Sequence, residues 1–334
     1  MVSKTDRKFR VLGFGSPLVD LIAAVGDDFL AREVAGGKGG TLSVTAEEQC
    51  ALISKLPAPP RMLTGGSAGN TVFALNRLGV ASSLLGKLGH DDFGRLFRKR
   101  LKEIGGSDEC LFSSPESSTG ACLVMSTPDG ERTMRSHLSS SLELSESDLD
   151  NVDFSAFDLM LAEGYMAASP IFDATLDRAR AAGVKIAFDP GSFELAKAQR
   201  EHFMTVLRDY ADIAFFNRDE AKSLFGDESD SALIEDLGEL SEVAVLKVGV
   251  EGALVKKSGE AVVEVPAVPV RNPLDTTAAG DMFAAGFLYG LAHGAGLRTA
   301  GECGALLASQ VVQVAGSELP DSVYEMVKAR FFND

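Results

Sequence analysis

The chain has 334 residues, 45% of them apolar and 24% charged. That balance is ordinary for a soluble globular protein, and the length suits about two average domains or one large α/β domain with an extension. Lys and Arg number 32 against 48 Asp and Glu, a formal net charge of −16, which speaks against nucleic-acid binding because that calls for a basic face.

In chain order, the first ten residues, MVSKTDRKFR, are polar and do not read as a secretory leader. No apolar stretch approaches the ~18 residues that a membrane span needs. Residues 11–25 form a long apolar run broken by Gly13, Gly15 and Pro17, and residues 36–40 and 57–60 read as surface loops or crossovers. Residues 120–126 and 131–137 read as two strands around the turn Thr127-Pro128-Asp129-Gly130, since Asp-Gly between strand-like runs is a hairpin signal. These pieces, scattered among helical segments, can pair into a small separate sheet. From about residue 158 the pattern changes. Buried-strand runs at 158–163, 184–189, 212–216 and 243–248 alternate with helical stretches at 171–182, 194–210 and 219–240. Such alternation predicts βαβ units and a parallel sheet with helices on both faces. Cys50, Cys110, Cys122 and Cys303 have no paired spacing, so reduced thiols in a cytoplasmic protein are expected. The four histidines lack metal-ligand spacing, and the acid-rich stretch 227–239 reads as a solvated helical face.

Four segments carry chemistry. Asp275-Thr276-Thr277-Ala278-Ala279-Gly280-Asp281 precedes a helical pattern with Phe283, Phe287 and Leu291 four apart. Its small residues bare backbone N–H groups at a helix N-terminus, where the dipole favours an anion. Asp281, in the first turn, reads as a cap of that helix, but a cap alone does not explain a preceding loop stripped of side chains, which suits close approach of a ligand to the backbone. Thr64-Gly65-Gly66-Ser67-Ala68-Gly69-Asn70-Thr71 brings backbone and short polar groups together before a second helix, suited to a polyhydroxylated ligand or to a plain turn. Asn217-Arg218-Asp219-Glu220 ends a strand, where ligands of open α/β sheets sit; Asn217 and Glu220 there order a metal or its waters, or simply cap a helix. Lys247-Val248-Gly249-Val250-Glu251-Gly252 suits close approach of a nucleotide, or a hairpin.

Taken together, residues 11 to about 316 resemble the ribokinase/PfkB carbohydrate and nucleoside kinases. DTTAAGD resembles that family's C-terminal signature, TGGSAGNT its N-terminal one, and Gly89-His90-Asp91-Asp92-Phe93-Gly94 its G-x-D-x-F-G segment. Asn217 with Glu220 matches the N-x-x-E motif, and Gly249 with Gly252 the nucleotide-site glycines beside Lys247. The resemblance implies one ribokinase-like domain over residues 1–334: a mostly parallel central sheet with helices on both faces, and a β-sheet lid drawn from about 18–45 and 117–140. It implies ATP and Mg²⁺ as cofactors, with a monovalent cation as a further one. Asp281 would be the catalytic base, and Ala278, Ala279 and Gly280 would shape the anion hole with it. Asp20, Ser16, Gly65, Gly66, Ser67 and Asn70 would bind the acceptor, and Asn217, Glu220, Lys247, Gly249 and Gly252 the nucleotide, with Glu220 reaching the metal through water. Met134, Arg135, His137 and Leu138 lie in the expected lid strand. Gly36-Gly37-Lys38-Gly39-Gly40 mimics a sugar-binding GGKGAN but opens no helix, and reads as a loop.

The chain departs from the family at Ala278, where Gly is usual, and at Ser16, where adenosine kinases carry Asn. Ser67, the SPLVD segment, residues 118–134 and FLYG are most similar to bacterial adenosine-kinase-like members. The expected activity is therefore phosphoryl transfer to the 5'-hydroxyl of an adenosine-like nucleoside. Alternatives are a sugar kinase of ribose, fructose or ketodeoxygluconate type and, from Ala278, a catalytically weak ligand-binding relative. A dinucleotide oxidoreductase is set aside, since no G-x-G-x-x-G follows the first strand. The expected partners are small molecules, with no nucleic acid or membrane, and the chain would be a monomer or homodimer.

Overall fold

The structure is a computed structural model that describes residues 8–332. Residues 1–7, at the polar start of the chain, and 333–334 lie outside the described residues. Its strands are, in chain order, β1 (Arg10–Phe14), β2 (Leu18–Ala24), β3 (Thr41–Ser43), β4 (Arg61–Gly65), β5 (Ala81–Gly89), β6 (Leu111–Ser114) and β7 (Gly120–Ser126). Then follow β8 (Arg132–His137), β9 (Leu159–Glu163), β10 (Lys185–Asp189), β11 (Ile213–Asn217), β12 (Val243–Lys247), β13 (Ala253–Lys257) and β14 (Val263–Val265). Nine form a large sheet in the order β14-β13-β12-β11-β10-β9-β1-β5-β6, and five a small one in the order β3-β8-β7-β2-β4.

From β12 to β6 the large sheet is parallel; only β13 and β14 run antiparallel at its edge. Strands covered on both faces need apolar side chains on both, which is why LMLAE, KIAFD and VAVLK read as unbroken apolar runs. One face packs on a cluster including Phe172, Phe203, Leu224 and Leu237, the other on one including Phe287, Leu307 and Tyr324. Among the described residues no helix is long and apolar enough to cross a membrane.

The four expected strands after residue 158 appear within a residue of their expected bounds, but two helical stretches divide. Gln199, at φ −107° and ψ 23°, separates the helices Phe193–Ala198 and Arg200–Asp209. Gly226, at φ 109°, ends the helix Arg218–Phe225, and Ser229 caps a new one, Asp230–Leu240. The Ser229 side chain caps the new helix after Gly226, whereas at Gln199 no side chain caps and only the backbone leaves the helical region; even charge spacing across such points overstates helix length. The apolar run 11–25 also divides: Gly15-Ser16-Pro17 takes the chain from β1 in the large sheet to β2 in the small one.

In the small sheet, β7 and β8 form an antiparallel hairpin through the turn 127–130, with Gly130 at φ 84° and its N–H donating to Thr127 O. β4 pairs with β2 at the far edge; this strand falls outside the segments 18–45 and 117–140 from which the lid was expected. RMLTG is short and follows a proline pair, so nothing in its pattern marks it as paired. Alternation along β2 decides the next step. Val19, Leu21 and Ala23 point into a separate apolar cluster with Phe29, Leu30 and Leu52, which turns Leu18 and Asp20 to the opposite face. That face looks onto the carboxyl ends of the large sheet.

Candidate active site

Five neighbouring strands of the large sheet end, or give way to a loop, at a polar residue on the same edge. In spatial order these are Ser16 after β1, Glu163 of β9, Asp189 of β10, Asn217 of β11 and Lys247 of β12. This edge of an open α/β sheet is where ligands bind. Two helix N-termini meet above it, those of Ser67–Arg77 and Ala279–Ala292. Between edge, helix ends and small sheet lies a cavity of about 360 Å³, within the usual range for small-molecule sites.

Asp281 sits at the meeting of the two helices. Its Oδ1 accepts from Ser67 Oγ at 2.7 Å and its Oδ2 from Asn70 Nδ2 at 2.8 Å, while Thr71 Oγ1 donates to its carbonyl at 3.1 Å. Burial pushes its carboxyl up to about 6, against the pull of the Asn70 and Ser67 hydrogen bonds and of Lys247. Side-chain capping of its own helix is not what Asp281 does: the cap position is Ala278, held in the left-handed region at φ 58° and ψ 6°. The Ala279 N–H turns back to Thr276 O at 3.3 Å. Among the described residues nothing accepts from the N–H groups of Gly280 and Asp281, which open the helix. A Cβ at Gly280 would lie 3.1 Å from Lys247 Nζ, so the ammonium approaches these two donors.

Lys247 Nζ donates to Asp189 Oδ2 at 2.9 Å. Desolvation draws its pKa down, but Asp189, Glu220 and Asp281 outweigh that and hold it raised. Glu220 is buried and closes a capping box with Asn217: Asn217 Oδ1 accepts from Glu220 N–H at 2.9 Å, and Glu220 Oε2 from Asn217 N–H at 2.7 Å. The capping reading of Asn217 thus holds locally. Yet burial, with Asp189 nearby, pushes Glu220 to about 7, and both residues still line the cavity.

On the other side, Asp20 reaches in from β2. Burial first, then the charge of Asp281, lifts it to about 7, tempered by Arg132. Gly65 must lack a side chain, because a Cβ there would lie 2.5 Å from the Asp20 carboxylate. Gly66 at φ 91° passes so close to Ser16 that a Cβ would lie 2.1 Å from its carbonyl oxygen. Ser16 contributes mainly backbone: its N–H donates to Glu163 Oε1 at 2.6 Å and its hydroxyl to Met166 Sδ at 3.2 Å.

The cavity thus gathers Ser16, Asp20, Gly66, Ser67, Asn70, Asn217, Glu220, Lys247, Ala278, Gly280 and Asp281. Gly249 and Gly252 stand outside it. They turn the β12–β13 hairpin at φ 66° and 107°, and a Cβ on Gly252 would collide with Val265 O. Of the lid-strand candidates, Met134 and Leu138 face the cavity. Arg135 instead binds the Ala35 and Gly37 carbonyls, and His137 Nδ1 lies against Val44 O.

Sequence reasoning passed over Glu163, Asp189 and Tyr165. Glu163 is fully buried and pushed to about 7 by burial; its second oxygen accepts from Ala68 N–H at 2.8 Å. It thereby fastens the β1 exit to the helix that carries Ser67 and Asn70. Tyr165 lies against Gly191, its hydroxyl on the Gly191 carbonyl at 3.0 Å. A signal was present: LMLAE and KIAFD are apolar strands that each end on an acid, and an acid closing a buried parallel strand falls at the ligand-binding edge.

Comparison with known proteins bears on this geometry. Residues 47–322 match the model of the pfkB family carbohydrate kinases. A nucleoside kinase of Methanothermobacter thermautotrophicus is 30% identical over 270 residues, 78% of this chain and 83% of that protein. The crystal structure of adenosine kinase from Sinorhizobium meliloti superposes with a TM-score of 0.88 at 28% identity, over 97% of this chain and all of that one. A probable sugar kinase from Rhizobium etli superposes at 0.85 with 29% identity, over 97% of this chain and 98% of the other. The ribokinase-like fold, the cavity at the sheet's carboxyl edge and these likenesses agree: the chain belongs to the pfkB carbohydrate kinase family, phosphotransferases with an alcohol group as acceptor.

Proposed function

We propose that this kinase transfers the γ-phosphoryl group of ATP to the 5'-hydroxyl of an uncharged, adenosine-like nucleoside. The observation that carries this reading is the two-sided character of the cavity. Its floor is polar, with Gly66, Asn70 and Asp281, whereas the small sheet, its roof, brings in the apolar side chains of Leu18, Cys122, Val124 and Met134, followed by Leu138, beside its own polar Asp20, Thr41, Ser43 and Ser136. A ribose on the floor with a base under the roof matches both halves; a free sugar leaves the roof without an apolar partner. Charge narrows the acceptor further. Lys247 is the only cationic side chain among the described residues lining the cavity, and it is paired with Asp189. A sugar acid would thus meet carboxylates without a free cation, which favours an uncharged acceptor over a ketodeoxygluconate.

The residues divide the work as follows. Asp281, oriented by Ser67 and Asn70, takes the proton of the attacking hydroxyl; a base poised near neutrality suits that task. The N–H groups of Gly280 and Asp281, with the Lys247 ammonium, hold the charge on the phosphoryl oxygens in flight. Asp20 binds ribose hydroxyls, and the small sheet acts as a lid that excludes water. The five-strand edge beside Asn217 and the Gly249–Gly252 turn receives the nucleotide.

No group of three or more His, Cys, Asp or Glu side chains that could hold a metal is found among the described residues. Mg²⁺ keeps most of its waters and leans on one or two carboxylates plus substrate phosphates, so the pair Glu220 and Asp189 fits it through water. When bound, Mg²⁺ would neutralise phosphate charge.

Steady-state ADP release over a panel of adenosine, inosine, ribose, fructose and ketodeoxygluconate tests the reading. The expected result is a kcat/KM for adenosine above that of every sugar. Turnover of fructose or ribose in preference to both nucleosides overturns it.

A further inference from the structure

Arg132 opens strand β8 and alternates with Met134 and Ser136, both of which line the cavity. Its guanidinium reaches across to the large-sheet body and pairs with Asp275, the two side chains only 12% and 6% exposed. Asp275 lies in the loop that leads to the anion-holding turn. The same carboxylate accepts the Thr277 N–H on Oδ1 at 2.8 Å and the Gly316 N–H on Oδ2 at 2.6 Å. Thr277 is followed directly by Ala278, whose left-handed backbone aims the next N–H groups at the cavity.

One carboxylate therefore joins three segments distant in sequence: the small sheet, the turn at 275–281 and the loop that holds Gly316. A second stitch runs alongside, where Arg61 of β4 donates to Ala315 O at 2.8 Å. Gly316, at φ 87°, lies against Leu63 and Ile22 of the small sheet. A desolvated carboxylate that loses its guanidinium is strongly penalised, so Asp275 is best satisfied when the small sheet is seated. By linkage, whatever seats the sheet also steadies the turn, and the reverse holds equally.

We propose that Arg132 and Asp275 form a latch, a pair of positioning residues through which seating of the small sheet over the acceptor orders the turn at 275–281. The phosphoryl-holding N–H groups are then fully aligned only over a bound acceptor. This inference rests on the reading that the small sheet closes over the acceptor.

Hydrogen exchange with peptide resolution tests it on the full chain, with and without adenosine, for wild type, R132Q, R132K and D275N. In wild type, adenosine slows exchange both in the small-sheet peptide 120–137 and in the peptide 273–283. In R132Q and D275N, exchange in 273–283 is faster even without ligand, and adenosine protects only 120–137. Displacing a turn by an ångström costs about 10²-fold in rate, so kcat falls by about that factor in R132Q. The KM for adenosine rises as well, because the linkage is reciprocal and Asp20 loses the nearby charge of Arg132, so the ligand-free exchange of 273–283 is the readout that decides. R132K, which restores the charge, recovers part of kcat and of the protection. Unchanged exchange in 273–283 in both R132Q and D275N overturns the latch, whatever happens to activity. So does an equal rise of exchange throughout the chain, the signature of general loosening. If wild type phosphorylates sugars and no nucleoside, the proposed acceptor fails, while the ligand-free comparison of 273–283 still decides the latch.

Discussion

The floor and the roof of this cavity are built by different rules. The floor is set on strand ends and helix N-termini of the large sheet, where backbone direction alone fixes each side chain within a rigid, doubly covered layer. It concentrates charge: Asp281, Glu163 and Glu220 all have carboxyls pushed up to about 6 or 7 by burial. The roof comes from a five-stranded sheet that presents Leu18, Val124 and Met134 together with the hydroxyls of Thr41, Ser43 and Ser136 and one carboxylate, Asp20, raised to about 7 by burial; Arg132 of the same sheet pairs with Asp275. Chemistry common to many acceptors belongs with a rigid charged floor, and choice of acceptor with a roof free to vary. Changes to the floor should therefore strike turnover, and changes to the roof should strike selectivity.

The largest effect is expected at Asp281. D281N removes the proposed base while keeping two polar atoms toward Ser67 and Asn70, so kcat should fall about 10²–10⁴-fold and ATP binding, measured by calorimetry, should stay within a few-fold. Turnover near wild type would take the proton-accepting role away from Asp281. The same residue sets a pH profile. A carboxylate base acts only when ionised, and the Asp281 carboxyl lies at about 6, so on the proposed role kcat/KM should rise with pH through that region and flatten above it. A rate already flat down to pH 5 would contradict this.

Asp20 separates function from stability. Loss of a charged hydrogen-bonding partner costs roughly 1.5–3 kcal/mol, about 10- to 150-fold in kcat/KM for the acceptor, so D20N should act mainly there. Its effect on stability has the opposite sign. The folded carboxyl is raised from 3.8 to about 7, so between those values the folded state binds more protons than the unfolded one. Stability then falls as pH rises through that window. An amide escapes this loss, so D20N should melt above wild type at pH 8, with the gap closing toward pH 4. A variant that melts lower at both pH values would show that Asp20 supports the fold rather than straining it.

On the roof, M134A should spare kcat and raise the KM for adenosine by about 5- to 30-fold, the equivalent of roughly 1–2 kcal/mol of lost apolar contact. The KM for any sugar that is turned over should barely move. Equal weakening of adenosine and sugar would mean that Met134 shapes the lid in general rather than touching a base.

How much of this could be read from sequence follows the same division. Asp281, Asn70 and Glu220 lie in compact motifs, where spacing within one turn or one helix start settles their neighbours, and all three line the cavity. Glu163 and Asp189 are just as central, but each is a single acid at the end of an apolar strand. Their meeting depends on strands β9 and β10 lying side by side, paired Glu163 to Asp189, which no local pattern states. Local pattern marked the roof as a hairpin able to join a small sheet; strand β4, which pairs with β2 about 40 residues away, and the Arg132–Asp275 pair, 143 residues apart, are contacts that no local pattern states. Gly249 and Gly252 show the converse, since their spacing serves the hairpin turn first. The helix breaks at Gln199 and Gly226 were hidden because charge periodicity continues across them.

The smallest predicted change tests the most local departure, Ala278. At φ 58° its Cβ costs about 1–2 kcal/mol relative to an unstrained position, whereas glycine in its place costs about 0.5–1 kcal/mol in chain entropy. A278G should thus stabilise the protein by roughly 0.5–1 kcal/mol, visible as about 1–3 °C in Tm. Glycine occupies the left-handed region freely, so the N–H groups of Gly280 and Asp281 keep their aim, and kcat should be preserved or raised. A large fall in kcat in a protein that still melts at or above the wild-type temperature would mean that the methyl group itself restrains the turn. Rigidity at the seam between floor and roof would then come from a side chain at the helix start as well as from the Asp275 carboxylate behind it.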